Sequence, residues 1–414
     1  MFKIIITILF FSVQLIASDR EETQQKISNL LTSLSEKTNV GLLIFNPLTQ
    51  DTIFSLNCFQ TMIPASNTKL FTTSVALVSL GGDFKISLKL FTDDSYFKDG
   101  VINGNIYLKG FGNATITDND IRVFVDHLVE LGINEITGNI VGDESYFDDA
   151  YYRADWIDDE VSTVKLSPIS ALIIDRNQII TFKKKGRRTK KYVEDIKQPA
   201  LHAANLLKEK LDNAGINVSG YAVQDITPIG ADQIDEFSIS LREFVSLINK
   251  HSDNYLAECL FKIIGAEYSN VEGNSFYATQ AILDFLDQNN IYSQGTEIVD
   301  GSGISRYDKV TPASVAGVLE AMYFNLNSFE DFYNSLSVAG VDGTLRSRFT
   351  GSYAENNFRG KTGTLNGVTS LSGYLKTKGN DDLIVSLIFE YQKGSSRSHK
   401  NIEDDIIIAL SEME

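Results

Sequence analysis

The sequence predicts an α+β chain in which one domain is interrupted by a second. Three observations carry this. The 414 residues, of which 43% are hydrophobic, suffice for two cores. Strand-like and helix-like periodicities mix at both ends of the chain. Between about Phe84 and Asp225 the texture changes to short alternating segments, which reads as an inserted α+β domain. The expected division is 1–18 as an export signal, 19–87 and 226–414 as two parts of one domain, and 88–225 as the insertion.

Each element follows from its pattern. Lys3 precedes the apolar run Ile4 to Phe11, and the small residues Ala17 and Ser18 stand before Asp19-Arg20-Glu21-Glu22. Charge, apolar run and small residues in that order form a cleavable export peptide. A retained anchor is the alternative, for which the run is short. From Glu21 to Leu34, Ile27, Leu30, Leu31 and Leu34 fall at helical spacing. Val40-Gly-Leu-Leu-Ile-Phe45 reads as a buried strand, turned by Asn46-Pro47 into a second strand at Thr52 to Leu56. Ser66 to Leu80 reads as a helix stopped by Gly81-Gly82.

Within the insertion, Ser87 to Phe91 and Asn105 to Lys109 alternate as strands, and helices are expected near Asp118 to Leu131 and Pro199 to Ala214. Beyond it come helical runs at Leu241 to Lys250 and Tyr255 to Ile264. Strands follow at Thr369 to Leu375 and Leu383 to Glu390, then an amphipathic helix at Ile402 to Leu410. Apart from the first residues, no segment is apolar long enough to span a bilayer, so no integral membrane segment is expected after signal cleavage.

Composition narrows the function. A net charge of −17 argues against nucleic acid, whose phosphates need a basic partner. The one basic run is Lys183-Lys-Lys-Gly-Arg-Arg-Thr-Lys-Lys191, with strand-like flanks that suggest a hairpin tip. It reads as a solvated turn or as a contact for anionic wall polymers or headgroups. The two cysteines, Cys58 and Cys259, read as separate free thiols. Four scattered histidines form no HxH or HExxH pattern, so neither metal nor cofactor is expected.

Three short motifs carry chemistry: Ser66-Asn-Thr-Lys69, Ser252-Asp-Asn254 and Lys361-Thr-Gly363. Each alone is weak. S-x-x-K recurs at Ser95 to Lys98 and Ser162 to Lys165, and an isolated serine opening a helix is ordinarily a plain N-cap. Context separates the copies. Ser66 opens an apolar helix and shares a face with Lys69 one turn on. A serine hydroxyl needs a base beside it to attack, and a lysine whose pKa is lowered by burial can be that base. The helix start also offers the Ser66 N–H to an oxyanion. Ser252 and Asn254 fall between two helices, where a hydroxyl can pass a proton to a leaving amine and an amide can hold substrate backbone. Lys361, Thr362 and Thr364 lie in strand-like sequence suited to a carboxylate, with the Thr364 N–H as second oxyanion donor. Gly363 is expected to let substrate lie close against that strand.

S-x-x-K, S-D-N and K-T-G in this order are the known signature of penicillin-binding proteins and class A β-lactamases. The sequence resembles, more closely, the penicillin-binding protein 4 type D-Ala-D-Ala carboxypeptidases, serine peptidase family S13. The resemblance runs in order through Ile63 to Thr73, Val141 to Phe147, Ser170 to Asn177, Asp300 to Arg306, Val338 to Leu345, Lys361 to Val368 and Leu371 to Tyr374. It implies a transpeptidase-like domain, helices around an antiparallel sheet, split between the first and second motifs by the insertion. It also implies Ser66 as the acylated nucleophile, Lys69 as its base, Ser252 and Asn254 as the second-motif pair, and Lys361, Thr362, Gly363 and Thr364 as the third-motif strand. Trp156 and Asp159 match a Trp-x-x-Asp that lines the family's substrate side-chain pocket.

Two departures stand out. The family's nested second insertion is expected here to shrink to a basic hairpin near 178–197, and Glu390 occupies a place where an amide residue is usual. The expected activity is removal of terminal D-Ala from peptidoglycan stem peptides in the periplasm or cell wall, with β-lactam antibiotics acylating Ser66. The alternatives are a D,D-endopeptidase cutting cross-links, a β-lactamase, and, in another class, a non-catalytic wall-binding or β-lactam-sensing module.

Overall fold

The computed structural model describes residues 19–156, 166–186 and 188–414. The expected export signal and Asp159 lie outside the described residues. A six-stranded sheet runs in the order Ser337–Val338, Phe358–Leu365, Val368–Lys376, Asp382–Tyr391, Thr38–Phe45, Thr52–Leu56. Every neighbouring pair in it is antiparallel. The strand Asp382–Tyr391 is buried on both faces. Ile384 and Ile388 join the core under the helices Thr68–Leu80 and Pro312–Tyr323. Val385, Leu387 and Phe389 join the opposite core, closed by the helix at 19–32 and the helix Ser396–Ser411. A strand with apolar side chains at both parities needs cover on both sides, and the two layers supply it.

The helix Thr68–Leu80 is buried from Thr68 through Leu77 on every side. Its small and hydroxyl-bearing residues let the helices Leu241–His251, Asn254–Ser269 and Ser275–Gln288 pack around it. The expected helix from Ser66 is in fact a 3₁₀ turn, Ala65–Asn67, followed by the α-helix.

The insertion has its own core. Its five-stranded sheet is ordered Ala222–Gln224, Ile140–Asp143, Ile106–Gly110, Lys85–Thr92, Asp232–Ser240, and Phe124, Leu128, Leu207 and Leu211 from the helices Arg122–Glu130 and Pro199–Asn213 pack beneath it. In chain order, the first and last strands of this sheet extend past the expected bounds of 88 and 225. Lys85–Thr92 pairs antiparallel with Asp232–Ser240, so the insertion's sheet runs from Lys85 to Ser240. The paired residues lie 140 to 155 positions apart and leave no local signature. Gln178–Lys185 and Arg188–Asp195 form a separate two-stranded ribbon. Cys58 and Cys259 are free thiols. Among the described residues no helix is long and apolar enough to cross a membrane.

The C-terminal helix is fastened by charge. The Arg348 guanidinium lies 3.0 Å from Glu403 and 2.6 Å from Asp404, with Glu403 only 1% exposed. Burial raises the Glu403 carboxyl above its ordinary value, and Arg348 opposes the rise. Arg348→Leu leaves that carboxylate buried and unpaired. We expect a loss of about 3 kcal/mol at neutral pH in urea denaturation. A carboxyl whose folded pKa is raised gains folded-state protonation as pH falls. The deficit therefore shrinks on acidification toward pH 5, and a deficit independent of pH would contradict the assignment.

Candidate active site

Ser66 sits at the centre of a strained turn. Ala65 before it has φ of 49°, a left-handed conformation that costs a residue with a Cβ about 1–2 kcal/mol. Three side chains from the main sheet hold the turn in place. Ser370 Oγ donates to the Pro64 carbonyl at 2.7 Å, and Asn67 Nδ2 donates to Ser372 Oγ at 2.8 Å. The Ile63 N–H donates to Glu390 Oε1 at 2.8 Å. Glu390, out of place in the sequence comparison, thus serves as an anchor. Gly363 also packs against the serine turn. A Cβ there would meet Ser370 Oγ at 2.1 Å and the Pro64 carbonyl at 2.8 Å, so its bareness admits the serine turn against the strand.

Lys69 is fully buried one helical turn from Ser66. Its Nζ lies 3.2 Å from Ser66 Oγ, 2.7 Å from Asn254 Oδ1 and 2.6 Å from the Ser302 carbonyl. Burial pushes its pKa down to about 8, although the carboxyls of Asp300, Glu258, Asp253 and Asp308 pull the other way. Lys361 is buried too and reaches Ser252 Oγ and the Thr362 carbonyl, each at 2.8 Å. Burial, and then the charge of Lys69, hold it well below its ordinary value.

The second motif is a helix junction. Ser252 ends Leu241–His251 in a left-handed conformation, φ 54° and ψ 41°. Asp253 then caps Asn254–Ser269, its carboxylate accepting from the Leu256 N–H at 3.1 Å. That reversal turns Ser252 and Asn254 toward the two lysines. Its outer side is gripped by the insertion, where Arg176 Nη2 donates to Asp253 Oδ2 at 2.6 Å. Arg176 comes from three successive left-handed residues, Asp175, Arg176 and Asn177, with φ of 50°, 55° and 53°.

The acceptor that sequence reasoning missed is the Ser302 carbonyl. Its loop is wound around Asp300, whose Oδ1 accepts from the N–H groups of Ser302 and Gly303 and whose Oδ2 accepts from that of Ser305. Glu258 Oε1 takes the Gly301 N–H at 3.1 Å, and burial followed by the charge of Asp300 raises that carboxyl to about 8. Gly303, at φ 78°, lets the loop lie against the Ala65 carbonyl. The Asp300 to Arg306 block carried part of the family resemblance, but a main-chain oxygen has no residue type by which to be recognised.

The third motif lies on an open edge. Phe358–Leu365 pairs along its length with Val368–Lys376, but on its other side Ser337–Val338 reaches only Arg359 and Gly360. From Lys361 onward that edge meets no described strand, which leaves main-chain donors and acceptors for an extended peptide. Thr362 Oγ1 donates to Thr344 Oγ1 at 2.9 Å, while Thr364 is exposed and donates its hydroxyl to the Gly363 carbonyl at 2.8 Å. Trp156 is buried and donates its indole N–H to Asp300 Oδ2 at 3.1 Å. Among the described residues no group of three or more His, Cys, Asp or Glu side chains is placed to hold a metal ion.

A serine one turn from a buried lysine, beside the open edge of an antiparallel sheet, defines an active-serine acyl-transfer enzyme of the penicillin-binding type. The chain belongs to the D-Ala-D-Ala carboxypeptidase 3 (S13) family, whose model matches residues 23–189 and 184–413. It is 24% identical over 431 residues to the D-alanyl-D-alanine carboxypeptidase DacB of Haemophilus influenzae, covering 90% of each chain. The crystal structure of penicillin-binding protein 4 from the same organism superposes with a TM-score of 0.81 at 21% identity, covering 93% of this chain and 98% of that one. Bd3459, a predatory peptidoglycan endopeptidase from Bdellovibrio bacteriovorus, shares the fold at a TM-score of 0.55 and 16% identity, covering 89% and 92%.

The Arg176 grip has a measurable consequence. Arg176→Ala is expected to slow acylation by a β-lactam about tenfold while the melting temperature barely moves, because it loosens the Ser252–Asn254 junction without opening the core. Arg176→Lys recovers part of the rate. An unchanged rate in Arg176→Ala would show that the junction holds itself.

Proposed function

We propose that this enzyme removes the terminal D-Ala of peptidoglycan stem peptides through an acyl-enzyme on Ser66. The observation that carries this reading is the threefold setting of Lys69. A neutral amine has two N–H donors and one lone pair. Asn254 Oδ1 and the Ser302 carbonyl can only accept, so they engage the two N–H groups and leave the lone pair to Ser66. A pKa near 8 makes the neutral form available close to neutral pH.

In this reading Lys69 takes the Ser66 proton as Oγ attacks the carbonyl carbon of the penultimate D-Ala. The N–H groups of Ser66 and Thr364 receive the oxyanion. The C–N bond breaks, and a proton delivered through Ser252, which Lys361 holds, converts the leaving nitrogen to the amine of free D-Ala. Water then attacks the Ser66 ester and restores the serine. Lys361, Thr362 and Thr364 receive the substrate carboxylate, Asn254 its backbone, and Gly363 keeps the serine turn against the strand. Trp156 and Asp159 are assigned to the side-chain pocket. Trp156 stands beside the Asp300 loop, which supports its half of the assignment. A β-lactam enters as a strained version of the same amide. The reading needs no cofactor, and the export-type pattern of the first residues supports a place outside the inner membrane, in the periplasm or at the wall.

A β-lactamase would need a carboxylate poised to activate water. The buried carboxyls near Lys69 fit that poorly: Asp300 is engaged by main-chain N–H groups, and Glu258 takes the Gly301 N–H while burial and the charge of Asp300 disfavour its carboxylate form. Endopeptidase action is the same chemistry on a cross-linked peptide, and the open strand edge supports it equally.

Fluorescent penicillin followed by intact-mass measurement tests the reading. We expect one adduct on the wild type, none on Ser66→Ala, and acylation about a thousandfold slower in Lys69→Arg, whose guanidinium stays charged. D-Ala release from a stem pentapeptide, set against cleavage of a cross-linked dimer, then fixes the substrate. A folded wild type that takes no label would overturn the catalytic reading in favour of a wall-binding module.

A further inference from the structure

The ribbon of Gln178–Lys185 and Arg188–Asp195 is unlike anything else in the molecule. Among the described residues it pairs with no other strand, and an isolated two-stranded ribbon is marginal in water. Its base is tied down. Gln178 Nε2 donates to Ser167 Oγ at 2.7 Å, Ser167 Oγ donates to Asp195 Oδ1 at 2.6 Å, and Ile180 overhangs a cleft of about 750 Å³ with Leu247 and Leu256. Among the described residues the outer half is exposed to solvent. Each strand is eight residues long, so the tip reaches about 25 Å from the base.

Charge and apolar surface coincide there. Residues 183–191 hold seven lysines and arginines, and setting them aside takes the chain from −17 to −24. On one face Lys183 lies opposite Lys190, and their ammonium groups sit 5.2 and 5.0 Å from the Tyr192 ring. On the other face Phe182, opposite Lys191, is 68% exposed. A contact for a soluble polyanion needs the lysines but gains little from a bare phenylalanine. Cations interleaved with exposed aromatic and β-branched residues suit a bilayer interface, where rings sit at headgroup depth and ammonium groups meet phosphates. The acidic body is repelled by such a surface, but the ribbon sets its tip well beyond the ~8 Å Debye length, so that repulsion is screened where the tip binds.

We propose that this ribbon is a membrane-surface contact that lays its Phe182–Lys191 face on an anionic phospholipid bilayer and seats Phe182 in the interface. It is separate from the acyl-transfer chemistry and stands or falls without it.

The test is flotation of the chain beginning at Asp19, where the described fold begins. Vesicles of phosphatidylcholine alone are compared with vesicles in which about a third is phosphatidylglycerol. The expected result is binding to the anionic vesicles only, weakened by added salt. The combined variant Lys183→Gln, Lys184→Gln, Lys190→Gln, Lys191→Gln should bind at least about tenfold more weakly, and Phe182→Ser several-fold more weakly. Penicillin labelling and melting temperature in both variants should match the wild type, which separates lost binding from lost folding. Equal binding to neutral vesicles, or none to anionic ones, would overturn the proposal. So would an unaffected Phe182→Ser together with equally tight binding to soluble polyphosphate, which would make the ribbon a polyanion contact.

Discussion

The site depends on the suspension of one buried ammonium group. Lys69 has no exposed surface, and its nitrogen hangs from Asn254 Oδ1 and the Ser302 carbonyl beside Ser66 Oγ. A charged lysine without such acceptors would not survive burial. With neutral acceptors the charge is tolerated but disfavoured, and the pKa settles near 8. Each partner comes from a distant part of the chain, so packing around the Thr68–Leu80 helix is a condition of the chemistry as well as of stability.

Strain and close approach surround this group. Ala65 and Ser252 adopt left-handed conformations on either side of the two lysines, and neither is a glycine. Such conformations persist only where neighbours over-determine them. The main sheet does this for the serine turn through Ser370, Ser372 and Glu390. The insertion helps at the second motif through Arg176, and at the Asp300 loop through Trp156. The inserted domain therefore braces the two segments that bring Asn254 and Ser302 to Lys69.

Much of this was legible in the sequence, for reasons that differ by element. Ser66 and Lys69 announce themselves by their spacing on an apolar helix, because a helix turn converts sequence distance directly into space. The strands Thr38–Phe45 and Asp382–Tyr391 show as apolar runs because both faces are covered. The Ser302 carbonyl was hidden because a main-chain atom acts there. That Gly363 also lies bare against Pro64 and Ala65 was hidden, because this contact is set by tertiary packing. The pairing of Lys85–Thr92 with Asp232–Ser240 was not legible because it joins segments too far apart to share a local pattern. Arg176 lies within a block that carried the family resemblance, but its bond to Asp253 crosses the domain boundary.

The most direct measurement is the second-order rate of penicillin acylation of the wild type from about pH 6 to about pH 10. If a neutral Lys69 takes the Ser66 proton, the rate rises with pH through a single midpoint near 8 and then levels. A flat profile, or a midpoint at the ordinary lysine value of about 10.4, would mean that the buried lysine is not the base and would contradict the account at its centre.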